Sequence, residues 1–298
     1  MSRVAILVTH LSGTGHFLRA LAIARAIEAA GGEAAVISGG RPLRHVDPGR
    51  VPVVQIPWLR VAGRDFSRPL DADGAPAGEA FLARRRRAVE AAVARLAPDV
   101  LVTETWPFGR RRLSAEFEAA IAAGRAVRPQ MRLAVSVRDV PEPPSRPGRG
   151  AEAAERLRAA DLVLVHGDPD FLPLAASWPL PPDLAPRLRH TGYVLEPLPD
   201  PLDAAPEVLV AVGGGDLGRG LLDAAAVAGA ASPLTWRLFV GGPDAEAHAA
   251  RLAARHVAPG LAIEPASATY RARLPGALCS VSLAGYNTVA ELARLSTP

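Results

Sequence analysis

Lysine is absent, so all 34 basic residues are arginine. Against 30 acidic residues they leave a formal net charge of +4, small for a chain of 298. Arginine's own high pKa keeps such a chain basic on paper, so its charge balance does not point to nucleic acid. Aromatic residues are 5% of the chain and none interleaves with arginines in a base-stacking pattern, which argues against a nucleic-acid partner. The single cysteine, Cys279, excludes an internal disulfide framework and a multi-thiolate zinc site. It lies in the apolar run 277–283 and reads as a small buried hydrophobe. No apolar run reaches the roughly 20 residues of a membrane span. The chain enters a strand at Arg3 without a charged and then apolar leader, so a soluble, cytoplasmic protein is expected. The seven histidines show no H-E-x-x-H or other metal spacing, and no G-x-S-x-G elbow occurs. Neither a metal nor a resident cofactor is expected.

What the chain has in excess is alanine, arginine, glycine and proline, the usage that GC-rich bacterial coding produces. Hydrophobic residues at 49% and charged residues at 21% are an ordinary globular balance, and the length supports two α/β domains. Short β-branched runs alternate with glycine or polar loops and alanine-rich helices. Strands are expected at Arg3–Thr9, Glu33–Ser38, Val51–Ile56, Val100–Glu104, Leu133–Val137, Leu162–His166 and Leu188–Val194. Helices are expected at Gly15–Ala30 and Glu79–Leu96, with a mobile Pro/Gly-rich loop from Pro141 to Gly150. The stretch 196–206 holds four prolines and three acids and reads as a linker. The pattern then restarts, with strands at Glu207–Val212, Trp236–Val240, Leu261–Glu264 and Leu278–Leu283, and helices at Arg219–Gly229 and from Asn287. Nearly continuous apolar strands alternating with helices predict parallel, doubly wound sheets. The expected fold is therefore α/β, with Rossmann-like domains at 1–195 and 207–298. The second is short against the usual ~100–150 residues and is expected to be incomplete.

Three turns join the carboxyl end of a strand to the amino end of a helix, where open α/β sheets bind ligands. The first is Gly13-Thr14-Gly15-His16. As a dinucleotide fingerprint it fails, because Leu18 stands where the third glycine belongs and Arg41 follows the second strand where an acid would hold ribose. His16 has two readings: a base that takes a proton from an attacking hydroxyl, or a residue that caps the helix. The second turn is Gly213-Gly214-Gly215-Asp216-Leu217-Gly218, either a phosphate nest or a tight turn. The third is Ser282-Leu283-Ala284-Gly285-Tyr286-Asn287-Thr288, with Glu291 following. It is either a capping box of Asn287 or Thr288 with Glu291, or a sugar and phosphate contact with Glu291 on a ribose diol.

This last turn, S-L-A-G-Y-N-T-V-A-E-L, resembles the donor-site motif of glycosyltransferase family 28, which includes the enzyme that forms lipid II. The resemblance implies the GT-B fold, two Rossmann-like domains facing a cleft. It also implies sugar transfer, without a metal, from a nucleotide-sugar, expected to be UDP-linked, to an acceptor hydroxyl. It assigns Gly285, Tyr286, Asn287, Thr288 and Glu291 to the donor, Gly213 to Gly218 to phosphate, and Gly13-Thr14-Gly15 to the acceptor side. In the related UDP-dependent glycosyltransferases the residue comparable to His16 is the general base, and an acid placed about where Glu104 ends its strand orients it; Glu104 reads equally as a solvated strand-end acid. The segments 103–111, Ser136-Val137-Arg138-Asp139, His166-Gly167-Asp168-Pro169 and Thr191-Gly192-Tyr193 resemble an uncharacterised bacterial branch of predicted glycosyltransferases. Such proteins continue past the final Thr-Pro with a strand, a Glu-Gln segment and a closing helix.

Four further residues are acceptor-side candidates, each with a plainer reading. Arg138 and Asp139 either meet an acceptor or pair with each other. His166 and Asp168 either line the same site or, for Asp168, cap a helix. The runs Arg84–Arg87 and Arg110–Arg112 read as solvated faces, or as contacts to an anionic acceptor or membrane surface. Two other functions suit the same residues: hydrolysis of a nucleotide-sugar, since Gly13 to His16 with Arg19 also fits a G-x-G-H-x-x-R opening, and nucleotide-sugar binding without turnover.

Overall fold

The computed structural model describes residues 1–298 except 12, 44, 45, 63, 64, 147, 214–217 and 243. The chain divides into two compact units, residues 1–11 with 16–194 and residues 195–298 with 12–15.

The first unit is a seven-stranded parallel sheet. Its strands are β1 (Arg3–Val8), β2 (Glu33–Gly40), β3 (Val53–Leu59), β4 (Val100–Glu104), β5 (Arg132–Arg138), β6 (Leu162–His166) and β7 (Leu188–His190). Their order is β3-β2-β1-β4-β5-β6-β7. Helices α1 (Gly15–Ala29), α2 (Glu79–Leu96), α3 (Ser114–Val127) and α4 (Arg149–Leu157) join them. The period-2 geometry of a strand sends alternate side chains to opposite faces. Ala5 and Leu7 of β1 therefore pack with Val89, Val93 and Phe117 of α2 and α3, while Ile6 and Val8 pack with Phe17, Leu21 and Ala24 of α1. Covering both faces is why β1 is apolar throughout rather than alternating.

The second unit repeats the plan on a smaller scale. Strands β8 (Val208–Ala211), β9 (Trp236–Val240), β10 (Leu261–Pro265) and β11 (Cys279–Ser282) are parallel in the order β10-β9-β8-β11. Helices α5 (Arg219–Ala230), α6 (Ala245–Arg255), α7 (Thr269–Arg273) and α8 (Tyr286–Leu295) complete it. Val208 and Val210 pack with Leu222 of α5 and Leu252 of α6, whereas Leu209 and Phe239 pack with Leu274, Tyr270 and Leu292. The stretch before β8 is anchored within this unit: Leu202 N–H donates to the Ala272 carbonyl at 2.8 Å, and Arg271 to that of Glu196 at 2.9 Å.

Several expected boundaries move. β3 runs to Leu59, through Pro57, and β7 ends at His190 rather than Val194. α4 begins at Arg149, inside the loop expected to extend to Gly150. The helices α3, α4, α6 and α7 fall in segments for which the sequence reading named no helix. Among the described residues no helix is long and apolar enough to cross a membrane.

Candidate functional site

In both parallel sheets the strand order reverses between the first and fourth strands in sequence, the switch point where α/β sheets open a crevice at the carboxyl ends. In the first unit this is the boundary of β1 and β4, which pair with Leu7 opposite Thr103. His16, second residue of α1, and Glu104, last residue of β4, both emerge there.

The two side chains meet, His16 Nδ1 lying 3.0 Å from Glu104 Oε1. Glu104 is 1% exposed, whereas the His16 side chain keeps 26% of its surface open. One helical turn on, Arg19 donates Nε–H to the same oxygen at 3.1 Å and pairs with it through Nη2. The Thr105 hydroxyl lies 3.1 Å from that oxygen as well. A carboxylate crowded by donors only accepts, so the bond to Glu104 requires the His16 proton on Nδ1 and leaves Nε2 with a lone pair; Arg19 Nη2 and Thr105 Oγ1 lie 3.2 and 3.1 Å from the same Nδ1. Thr105 holds φ at 68°, a left-handed conformation rare for a β-branched residue. Its N–H to the Ser136 carbonyl (2.8 Å) and its carbonyl from Gly109 N–H (2.9 Å) fix it there.

The protonation states follow from burial and from the neighbouring arginines. Burial lowers the His16 pKa to about 4; Glu104 raises it, and the Arg110 and Arg19 charges lower it. Burial alone would raise Glu104, but the Arg19 charge and the His16 hydrogen bond hold it below the usual carboxylate range. Near neutral pH the pair is therefore a neutral imidazole on an ionised carboxylate, with Arg19 supplying the compensating charge.

The network continues inward. Ser136 Oγ on β5 bonds Glu104 Oε2 and lies 2.8 Å from His166 Nε2 on β6, whose Nδ1 is 2.8 Å from Thr191 Oγ1. His166, expected to line the acceptor side, is thus 1% exposed and engaged at both ring nitrogens. Asp139 is also buried, 2% exposed, and burial raises its pKa. Gly167 makes room for it, because a Cβ there would stand 2.2 Å from Asp139 Oδ2. Arg138 is half-buried. Asp168 is exposed and accepts Asp170 N–H at 2.9 Å, capping a turn and not a helix. Gly13 has φ of 68° and open space around it, Thr14 is half-buried, and Gly15 opens α1.

Two arginine runs depart from the solvated faces expected of them. Arg85 is fully buried, bonded twice at 2.8 Å to Glu116 and also to the Gly39 carbonyl and the Thr9 hydroxyl. It lies four residues before Val89 on the inward stripe of α2, so helical periodicity carries it into the core. Arg110 is half-buried and donates Nε–H to the Thr9 carbonyl at 2.6 Å. Burial and the Arg19 and Arg138 charges outweigh Glu104 and lower its pKa to about 10. His10, not singled out in the sequence, is 3% exposed and bonds the Arg41 carbonyl at 2.9 Å; burial lowers its pKa to about 4.

The second unit presents its own switch point, where β8 and β11 pair with Ala211 opposite Ser282. The chain leaving β8 at Ala211 and the turn after β11 therefore start side by side. Gly218, at φ 92°, would place a Cβ 2.8 Å from Leu283 Cδ1, so a larger residue would push the two turns apart. Gly213 has φ of 77°, while Gly214, Gly215, Asp216 and Leu217 lie outside the described residues. Gly285 is exposed, and Tyr286, Asn287 and Thr288 are half-buried along the first turn of α8. The capping-box reading is corrected here: Gly285 is the N-cap, so Glu291 sits too far along α8 to close a box. Instead Arg271 donates Nε–H to Glu291 Oε1 at 2.8 Å. Burial raises the Glu291 pKa, with Arg271 opposing. Among the described residues no three metal-ligating side chains cluster.

Comparison with solved structures gives the fold a name. The chain is similar to CalG4, the calicheamicin glycosyltransferase, at 15% identity with a TM-score of 0.61, over 100% of this chain and 79% of that one. MurG of Acinetobacter baumannii aligns at 18% identity and a TM-score of 0.51, over 98% and 75%. A UGT transferase of Siraitia grosvenorii in complex with UDP aligns at 15% and 0.58, over 99% and 80%. The fold is that of the GT-B glycosyltransferases, as the glycosyltransferase 28 resemblance implied. No protein-family model matches the chain. No curated protein matches it in sequence.

Proposed function

We propose that the protein transfers a sugar from a nucleotide-sugar to an acceptor hydroxyl, with His16 as general base. The observation that carries this is the pair of His16 with the buried Glu104 at the switch point of a GT-B sheet. Glu104 fixes the imidazole tautomer, so the Nε2 lone pair is the group left to take a proton. As the hydroxyl oxygen attacks the anomeric carbon, its proton passes to Nε2 and the nucleotide diphosphate leaves. The positive charge formed on His16 is stabilised by Glu104.

On this reading the donor is held by the second unit. Backbone N–H groups of the turn beginning at Gly213 and the amino end of α5 suit a diphosphate. Gly285, Asn287 and Thr288 suit phosphate or sugar, and Glu291 suits a ribose diol. A UDP-linked donor is the first to try, since the similar Siraitia protein was solved with UDP. Incubation with UDP-sugars and a panel of hydroxyl acceptors is expected to yield glycosylated product and UDP in equal amounts. His16→Ala is expected to lower turnover about 10²–10⁴-fold while leaving UDP affinity unchanged. Free sugar in place of product would mean hydrolysis, and UDP binding without turnover would mean a binding protein.

A further inference from the structure

Glu104 has two oxygens, and the base uses one. The other, Oε2, is bonded by Ser136 Oγ. An ionised carboxylate cannot donate, so the Ser136 proton is committed to it. Ser136 Oγ must then accept from His166 Nε2, 2.8 Å away, which places the imidazole proton on Nε2. The neutral ring has no second proton, so its Nδ1 accepts from the Thr191 hydroxyl at 2.8 Å. Burial lowers the His166 pKa to about 4, which keeps that ring neutral near pH 7. The hydrogen bonds thus run in one direction, from Thr191 through His166 on β6 and Ser136 on β5 to Oε2 of Glu104 on β4, whose Oε1 His16 and Arg19 share. Ser136 and His166 are 0% and 1% exposed; Ser136 interrupts the apolar middle of β5, and His166 ends the apolar run of β6. Apolar residues would pack these positions without the cost of burying polar groups.

We infer that Ser136 and His166 are positioning residues for the general base: they hold Glu104 in the rotamer that offers Oε1 to His16 and draw charge onto Oε2. The inference rests on the sugar-transfer reading only for the reaction served, because the coupling belongs to the unliganded chain. The charged groups facing His16 are Glu104, Arg19 and Arg110, and those facing His166 are Glu104 and Arg19.

The test is 15N NMR of the histidine rings, followed from pH 8 down to the onset of unfolding and fitted over the folded range alone, in the wild type, Ser136→Ala, His166→Phe, His166→Gln and Thr191→Val. Ser136→Ala removes a donor from Glu104 and returns charge to Oε1. His16 is then expected to titrate on the order of one pH unit higher. His166→Phe should move it the same way by less, and His166→Gln, whose amide N–H can replace Nε2–H, should restore it. Turnover of His166→Phe is expected to fall about tenfold at unchanged KM for the nucleotide-sugar, with recovery in His166→Gln. Should the buried substitutions fail to fold, the wild type and the surface change Thr191→Val still decide. The wild-type His166 ring must show the proton on Nε2, and Thr191→Val must perturb its Nδ1 resonance. A proton on Nδ1, or a His16 titration unmoved in folded Ser136→Ala, overturns the inference. Ring titrations that move as expected in a protein without sugar-transfer activity would support the coupling and sink the functional reading instead.

Discussion

At the scale of residues, the chemistry rests on how one carboxylate is shared. Glu104 Oε1 receives both the His16 ring and the Arg19 guanidinium, and Glu104 and Arg19 are 1% and 3% exposed. A carboxylate beside a histidine raises its basicity, but burial outweighs it here, and the Arg110 and Arg19 charges add to the lowering. The result is a base with a pKa of about 4, available near neutral pH without prior deprotonation. Glu104→Gln tests the sharing. It keeps the shape but removes the carboxylate charge that the buried Arg19 faces, at a cost of about 3–5 kcal/mol. A lowered denaturant midpoint together with lost turnover is the expected result. Unchanged stability would mean that Arg19 has another means of compensation. Of this constellation His16 and Glu104 were legible in the sequence, as a histidine and an acid at strand-to-helix turns. The Arg19 pairing was not, because nothing in sequence spacing says which arginine of an arginine-rich chain turns inward. Ser136 left a fainter signal, a hydroxyl in the apolar strand L-A-V-S-V whose two faces are both covered.

At the scale of elements, most strands were readable because strands covered on both faces are continuous apolar runs. α3, α4, α6 and α7 went unread; α4 and α7, at 9 and 5 residues, are short for a helical repeat to show. α2 shows the difficulty in one turn. Its four consecutive arginines look alike in sequence, yet Arg85 is fully buried and Arg84 and Arg87 are exposed. The 3.6-residue repeat that buries Val89 and Val93 carries Arg85 with it, and Glu116 on α3 meets it. Glu116→Ala is accordingly expected to destabilise by about 3–5 kcal/mol. Arg84→Ala and Arg87→Ala should stay within about 0.5 kcal/mol of wild type. Equal effects in urea unfolding would refute the distinction. On α8, Glu291 faces Arg271 and not the helix amino end. If Glu291 also accepts from a ribose diol, Glu291→Ala should weaken UDP binding roughly 10–150-fold by calorimetry. A lowered unfolding midpoint with unshifted UDP affinity would confine Glu291 to the Arg271 pair.

At the scale of the whole molecule, three histidines set the response to acid. Burial lowers the pKa of His10, His16 and His166 from 6.5 to about 4. Each therefore binds a proton more readily in the unfolded chain than in the folded one. A group shifted in this sense contributes its full stabilisation above pH 6.5 and loses it as pH falls through that value towards 4. The loss is at most about 3 kcal/mol per histidine. Three such losses reach most of the ~5–15 kcal/mol that keeps a domain folded. Asp139 and Glu291 act in the opposite direction, since burial raises their pKa and the folded chain gains protons there first. Glu291 belongs to the other unit, and Glu104, whose pKa is held low, adds to the loss as pH falls further. All three histidines lie in the first unit, so that unit should unfold in mild acid. Trp106 and Trp178, 3% and 0% exposed within its core, report the event by a red shift in fluorescence. The expected midpoint lies between pH 6.5 and 4, and His166→Gln, which removes one titrating ring, should move it lower. Turnover should stay level as pH falls from 8 to 6, because His16 remains unprotonated across that range, and then collapse with the fold. An acid limb centred near 6.5 in a molecule still folded at pH 4 would mean that these rings titrate as if exposed. The buried arrangement of Glu104, Arg19 and Ser136 would then not govern the base.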